Sequence, residues 1–247
     1  MSRLAEQGGR DEEMAEFIIE MIRAKDKHMV RKSLKSEPYP ADFSKAERNT
    51  ITVAFKKVIS SKRTAIRLCD TILENPKYAK YRQAIHKYKA KMQDDVFSTC
   101  QNFLDKIKDY CLDRNGNKME TEAFFCKQAG DIIRYMCEVN NKPGPGLKKL
   151  QDEALMYYER AGRKTENFHN CNATKLSLGL NFSVYIFEIL KDTGRAIKTA
   201  ELAMSKAAAT INSCEEDEYV EAAHIMEMIK ENIAIWKGED PTKIVHQ

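Results

Sequence analysis

Between Leu178 and Leu190 the chain reads Leu-Gly-Leu-Asn-Phe-Ser-Val-Tyr-Ile-Phe-Glu-Ile-Leu, apolar almost all round and free of proline. A helix apolar on every side belongs inside a larger protein or a membrane. At about 1.5 Å per residue the run falls short of the ~20 apolar residues that a bilayer requires. A central helix in an all-helical fold is therefore expected. Asn181 and Glu188 interrupt it two turns apart and share one face with Val184 between them, as the floor of a groove would. The same spacing also fits an Asn181 that only satisfies a backbone group of a neighbouring helix.

With ten glycines and six prolines in 247 residues, long uninterrupted helices are the default, and no strand pattern competes with them. A net charge of +4, with acidic residues spread among the basic ones, gives no reason to expect nucleic acid as a partner. The beginning carries no secretory or myristoylation signal, and no run reaches membrane-spanning length, so a cytoplasmic protein without a membrane partner is expected. Seven widely spaced cysteines without a C-x-x-C pair, and histidines without ligand spacing, give no expectation of a metal or cofactor.

The periodicity predicts helices at Leu4–Gln7, Glu12–Ala24, about 44–73, about 80–112, 121–139, 146–163, 173–191, 196–211 and 215–237. Together they make an all-α bundle of roughly nine antiparallel helices. Ser44 with Glu47 is a capping box that opens the third. Residues 25–43, rich in Lys, Ser and Pro, read as an exposed, mobile loop. A single domain over 1–237 and a flexible tail at 238–247 complete the plan.

No nucleophile–base pair, phosphate-cradling glycine loop or other catalytic motif is recognisable, so catalysis is not expected. Basic residues do recur two turns apart. Lys56, Arg63 and Arg67 form one ridge, and Lys127 with Arg134 repeats the step, with Asp131 between them and Tyr135 following. Two arginine forks from different helices can enclose a phosphate, and Asp131 is one turn from Arg134, placed to steady it. Ordinary surface charges give the same spacing. Ile225, Met228, Asn232 and Ile235 make an apolar stripe with an amide inside it, equally readable as core.

Several stretches, in order, resemble the 14-3-3 phosphopeptide-binding proteins. They are Leu4-Ala-Glu-Gln, Glu47-Arg-Asn with Val53-Ala-Phe-Lys-Lys-Val-Ile, Gly130-Asp-Ile-Ile-Arg-Tyr-Met-Cys-Glu-Val, Leu180 to Leu190, and Ile225 to Trp236. The resemblance implies a cup-shaped adaptor that binds phosphoserine or phosphothreonine segments of client proteins. It implies a phosphate pocket of Lys56, Arg63, Arg134 and Tyr135. Asn181 and Asn232 would bond the ligand's main chain, and Leu180, Val184, Ile225, Met228 and Ile235 would form an apolar wall. Lys127 and Glu188 match further groove positions. It also implies a homodimer, or a heterodimer with a paralogue. Leu4 belongs to that interface, Arg10 matches a charge opposite Asp95 and Glu13 one opposite Lys91, and Tyr88 is an interface aromatic. The pattern departs from the family in a shorter first helix, Gly8 at a packed interface position, the long 25–43 connection, His224 in place of a groove leucine, and no acidic tail. A scaffold of the same fold binding unphosphorylated partners is the alternative.

Overall fold

A computed structural model describes residues 11–34, 42–114, 117–140 and 142–239. Among these the regular structure is entirely helical: α1 (Asp11–Leu34), α2 (Lys45–Glu74), α3 (Arg82–Tyr110), α4 (Met119–Val139), α5 (Pro145–Thr165), α6 (Ala173–Glu188), α7 (Thr193–Ala208) and α8 (Glu216–Lys237). Short 3-10 turns at Pro76–Tyr81 and Ile211–Ser213 join α2 to α3 and α7 to α8. The helix expected at Leu4–Gln7 lies outside the described residues, as does Arg10, so eight α-helices stand where about nine are expected. Among the described residues no helix is long and apolar enough to cross a membrane.

The loop expected over 25–43 is corrected over 25–34, while 35–41 lie outside the described residues. Helix α1 continues to Leu34, because Ala24 to Leu34 contains neither Gly nor Pro and is rich in residues that favour helix. The two ends of the supposed loop are packed. Phe43 is buried with its ring edge-on to Phe125, and Lys25 bonds Glu47 at 2.7 Å. Glu47 is also the reciprocal partner in the capping box. Its carboxylate accepts from the Ser44 amide at 2.7 Å, while Ser44 Oγ accepts from the Glu47 amide at 3.2 Å. Burial works against the Glu47 charge, but these bonds hold its pKa below the usual value.

Each helix packs on its sequence neighbour, α5 against α6 less extensively than α4 against α5. Alternate helices also touch, α2 with α4, α4 with α6 and α6 with α8, so that these four form one layer and α1, α3, α5 and α7 back it. One core cluster unites α1 to α5 with part of α6; a second, small-residue cluster joins α6, α7 and α8 around Ala200, Ala207, Ile225 and Ile229. Trp236 packs against both and stacks on Phe187 at 4.9 Å.

The most enclosed helix is α4, with every residue from Thr121 to Cys137 buried, whereas much of α6 is only half-buried. The central position expected for 178–190 therefore belongs to a helix whose charged residues disguise it. Ion pairing inside the layer is what permits Lys127, Asp131 and Arg134 to be buried there.

In α6, Gly179 allows the backbone to approach α7 closely: a Cβ at this position would lie 2.7 Å from the Ala203 Cβ. Neither carbon can rotate away, so Gly179→Ala must push the helices apart. The overpacking cost of about 1–3 kcal/mol exceeds the ~1 kcal/mol gained in helix propensity. Urea denaturation should register a lower midpoint with little change in slope; an unchanged or raised midpoint would contradict the packing.

Candidate functional site

The layer of α2, α4, α6 and α8 encloses a cavity of about 520 Å³. Lys56 from α2, Lys127 from α4, Leu180 and Asn181 from α6, and Ile225 and Met228 from α8 all line it, whereas Arg63, Asp131, Arg134, Tyr135 and Glu188 lie outside the lining. Lys45, Arg48, Lys56 and Lys127 make the α2–α4 side mainly cationic, while α6 and α8 contribute Leu180, Ile225 and Met228 together with Glu218 and Glu221. Lys45 and Glu221, joined at 2.5 Å, connect α2 to α8 beside it.

Behind the cationic wall stands a buried network centred on Asp131. Its Oδ2 accepts from Lys127 Nζ at 2.8 Å and from Asn181 Nδ2 at 2.8 Å, and its Oδ1 accepts from the Tyr158 hydroxyl at 2.8 Å. Gly130 lets this tyrosine reach: its ideal Cβ would stand 3.0 Å from the Tyr158 ring. Burial would raise the Asp131 pKa, but Lys127 and Arg134, with the bonds from Lys127 and Tyr158, hold it below the ordinary carboxylate value.

This corrects two sequence expectations. The Asn181 amide bonds a carboxylate rather than the backbone of a neighbouring helix. Asp131 is bonded to Lys127, four residues back, and affects Arg134 only through its charge. Arg134 is instead paired with Glu188 of α6 at 3.1 Å.

Tyr135 lies between the two pocket arginines, its ring centroid 4.4 Å from the Arg63 guanidinium carbon and 4.2 Å from that of Arg134. Quadrupole attraction from one ring thus gathers two cations from different helices. Arg63 is held by a fork to Glu138, Nε and Nη2 donating at 3.0 and 3.1 Å, and Arg67 Nη2 lies 3.8 Å from the same carboxylate. The Nε of Arg134 is buried without an acceptor among the described residues.

Burial opposes the Arg134 charge, yet Tyr135, Tyr158, Asp131 and Glu188 keep its pKa above the ordinary arginine value. Lys56 behaves oppositely. Desolvation and the neighbouring Lys127 and Arg134 lower its pKa, against the pull of Asp131. It makes no hydrogen bond or ion pair among the described residues. Lys56 therefore stands beside two cations, Lys127 and Arg134, whose counter-charges are Asp131 and Glu188.

The remaining expected residues are less tightly gathered. Val184 is half-buried on α6; Asn232 is half-buried and Ile235 56 % exposed on α8, both away from the cavity lining. His224 is exposed. Of the expected interface residues, Leu4 and Arg10 fall outside the described residues, while Glu13 is half-buried on α1. Tyr88, Lys91 and Asp95 follow one face of α3 at helical spacing, with Tyr88 52 % exposed.

Sequence reading missed Glu138 and Tyr158. Glu138 had a signal, since it lies one turn beyond Arg134 on the same helix. Tyr158 had none, because only the α4–α5 packing brings it to Asp131.

A bundle of paired helices whose inner layer sets a mainly cationic side against one carrying apolar residues defines a helical groove protein. A 14-3-3 protein family model matches residues 1–237, and the chain belongs to that family. Relatives include 14-3-3 protein 2 of Entamoeba histolytica, 29 % identical over 97 % of this chain and 94 % of the relative. 14-3-3 protein 10 of Solanum lycopersicum is 28 % identical over 97 % and 90 %. The 14-3-3-like protein G-BOX factor 14 lambda of Arabidopsis thaliana is 29 % identical over 97 % and 92 %.

Proposed function

We propose that this protein is a phosphoserine- and phosphothreonine-dependent adaptor, without catalytic activity, that holds extended client segments in the groove between α2, α4, α6 and α8. The observation that carries the proposal is the convergence of Arg63 and Arg134 on Tyr135 and of Lys56 and Lys127 on Asp131, with Lys56 and Lys127 lining the cavity that Leu180, Ile225 and Met228 also line. Four cations against Asp131, Glu138 and Glu188 leave one net positive charge, so a phosphate of about −1.5 to −2 charge binds by displacing the Glu138 and Glu188 contacts. Arg63 and Arg134 take its oxygens in fork geometry, exchanging part of their bonds to Glu138 and Glu188, and Lys56 adds an uncommitted charge. Asn181 and Asn232 bond the ligand's main chain, and Leu180, Val184, Ile225, Met228 and Ile235 receive its flanking apolar side chains.

Two copies pair through α1 and the exposed side of α3, with Glu13 against Lys91 and Tyr88 at the contact. Such a homodimer, or heterodimer with a paralogue, engages two phosphosites and gains avidity without new contacts. The cytoplasm is its place of action.

Immobilised protein should retain phosphoserine and phosphothreonine proteins from a cell extract and lose them after phosphatase treatment. Retention indifferent to phosphatase would instead favour a scaffold of the same fold that binds unphosphorylated partners.

A further inference from the structure

Outside the cationic wall, the described residues gather one cluster of soft ligand atoms that the groove chemistry does not use. His169 and Cys171 lie in the connection between α5 and α6, and Cys214 in that between α7 and α8. Their three ligand atoms all lie within 4.8 Å of one another. The spacing was invisible in the sequence because Cys214 is 45 residues from His169.

We propose that His169, Cys171 and Cys214 form a binding site for one thiophilic metal ion of the zinc(II) type. A tetrahedral zinc with Zn–S of about 2.3 Å and Zn–N of about 2.0 Å puts its ligand atoms about 3.5–3.8 Å apart. Cys214 Sγ and His169 Nδ1 already stand at 3.8 Å, so the other pairs need close by no more than about 1 Å. Two thiolates with an imidazole select zinc or copper(I) over the hard cations magnesium and calcium.

The surroundings orient the ligands. His169 Nε2 lies 3.2 Å from Ser213 Oγ, which fixes the ring and leaves Nδ1 toward the sulfur atoms. The Nδ1 lone pair now accepts a long 3.3 Å bond from the Cys171 amide, a bond that the metal would replace. Cys171 Sγ sits 3.5 Å from the Ala207 carbonyl and 3.7 Å from Thr210 Oγ1, and Cys214 Sγ lies 3.9 Å from the Thr210 carbonyl. His169 is exposed and Cys171 buried, so an ion enters from solvent and leaves its fourth position to water. Because Cys171 also lines the groove cavity, the ion would tie the α7–α8 connection to the groove's end.

The test titrates the reduced full-length chain with zinc(II) against a chromophoric chelator, and with cobalt(II) as a spectroscopic substitute. One equivalent should bind, and cobalt should develop thiolate-to-metal absorption. His169→Ala and Cys214→Ser, chosen because these side chains are not deeply buried, should each weaken zinc by at least tenfold, the scale on which even ligand-orienting partners act. His86→Ala should bind as the parent does, and circular dichroism establishes that each variant is folded. Absence of stoichiometric binding by the parent, or equal binding by both ligand variants, overturns the proposal.

Discussion

Arg134→Ala is expected to weaken phosphopeptide binding at least a hundredfold while leaving helical content unchanged. Hydrogen bonds to charged groups contribute about 1.5–3 kcal/mol each, and a guanidinium fork supplies two. The resulting ~3 kcal/mol or more exceeds two decades in affinity at 1.4 kcal/mol per decade. The fold should survive because the groups left behind are not stranded. Asp131 keeps its bonds from Lys127, Asn181 and Tyr158, and Glu188 is exposed enough to be solvated. Arg134→Lys should recover only part of the loss, since an ammonium keeps the charge without the planar fork. Peptide titrations of the three proteins, with circular dichroism alongside, check the ordering. Parent-like affinity in Arg134→Ala would remove the arginine from the pocket.

Asp131→Ala should act on the opposite quantity, stability. The substitution leaves the Lys127 ammonium buried and unpaired, deprives Asn181 and the Tyr158 hydroxyl of their acceptor, and leaves Lys56, Lys127 and Arg134 without their shared counter-charge. Breaking a buried ion pair from one side costs about 3–5 kcal/mol, roughly 10 °C in Tm for a chain of this size. Replacing both partners, as Lys127→Met with Asp131→Leu, should recover part of that loss, because the Lys127 ammonium is then no longer buried unpaired while Asn181 and Tyr158 still lack their acceptor.

The pH dependence follows from the same carboxylate. Its folded pKa lies below the ordinary value near 3.8, so its contribution is complete above the unfolded pKa and disappears as acid takes the pH through the lower folded value. Thermal denaturation of the single and double variants from neutral to acidic pH measures both effects. A single variant as stable as the parent at neutral pH would mean that the network does not hold α4 in place.

What the sequence made legible was local or periodic. The Ser44–Glu47 capping box formed as the residue types required, whereas of the two seven-residue steps only the first members, Lys56 and Lys127, line the cavity. Apolar patterning misjudged which helix is central. Burial of Thr121 to Cys137 depends on charges cancelling within and across helices, and a one-dimensional pattern shows only that charges are present. Prolines at 38 and 40 made the whole of 25–43 look like loop, although a proline restricts its own and the preceding residue and says nothing of Ala24 to Leu34. The partners that set the pocket's resting state, Glu138 on Arg63 and Glu188 on Arg134, are chosen by helix packing, as is the meeting of His169 with Cys214.

The central claim, that the groove takes a phosphorylated segment because of its phosphate, is tested most directly by fluorescence polarisation of a labelled phosphoserine peptide beside its unphosphorylated twin. The phosphorylated peptide should bind saturably and the twin should not bind at the same protein concentrations. Equal binding of both, or binding of neither, would contradict the assignment of Lys56, Arg63, Arg134 and Tyr135 as a phosphate pocket.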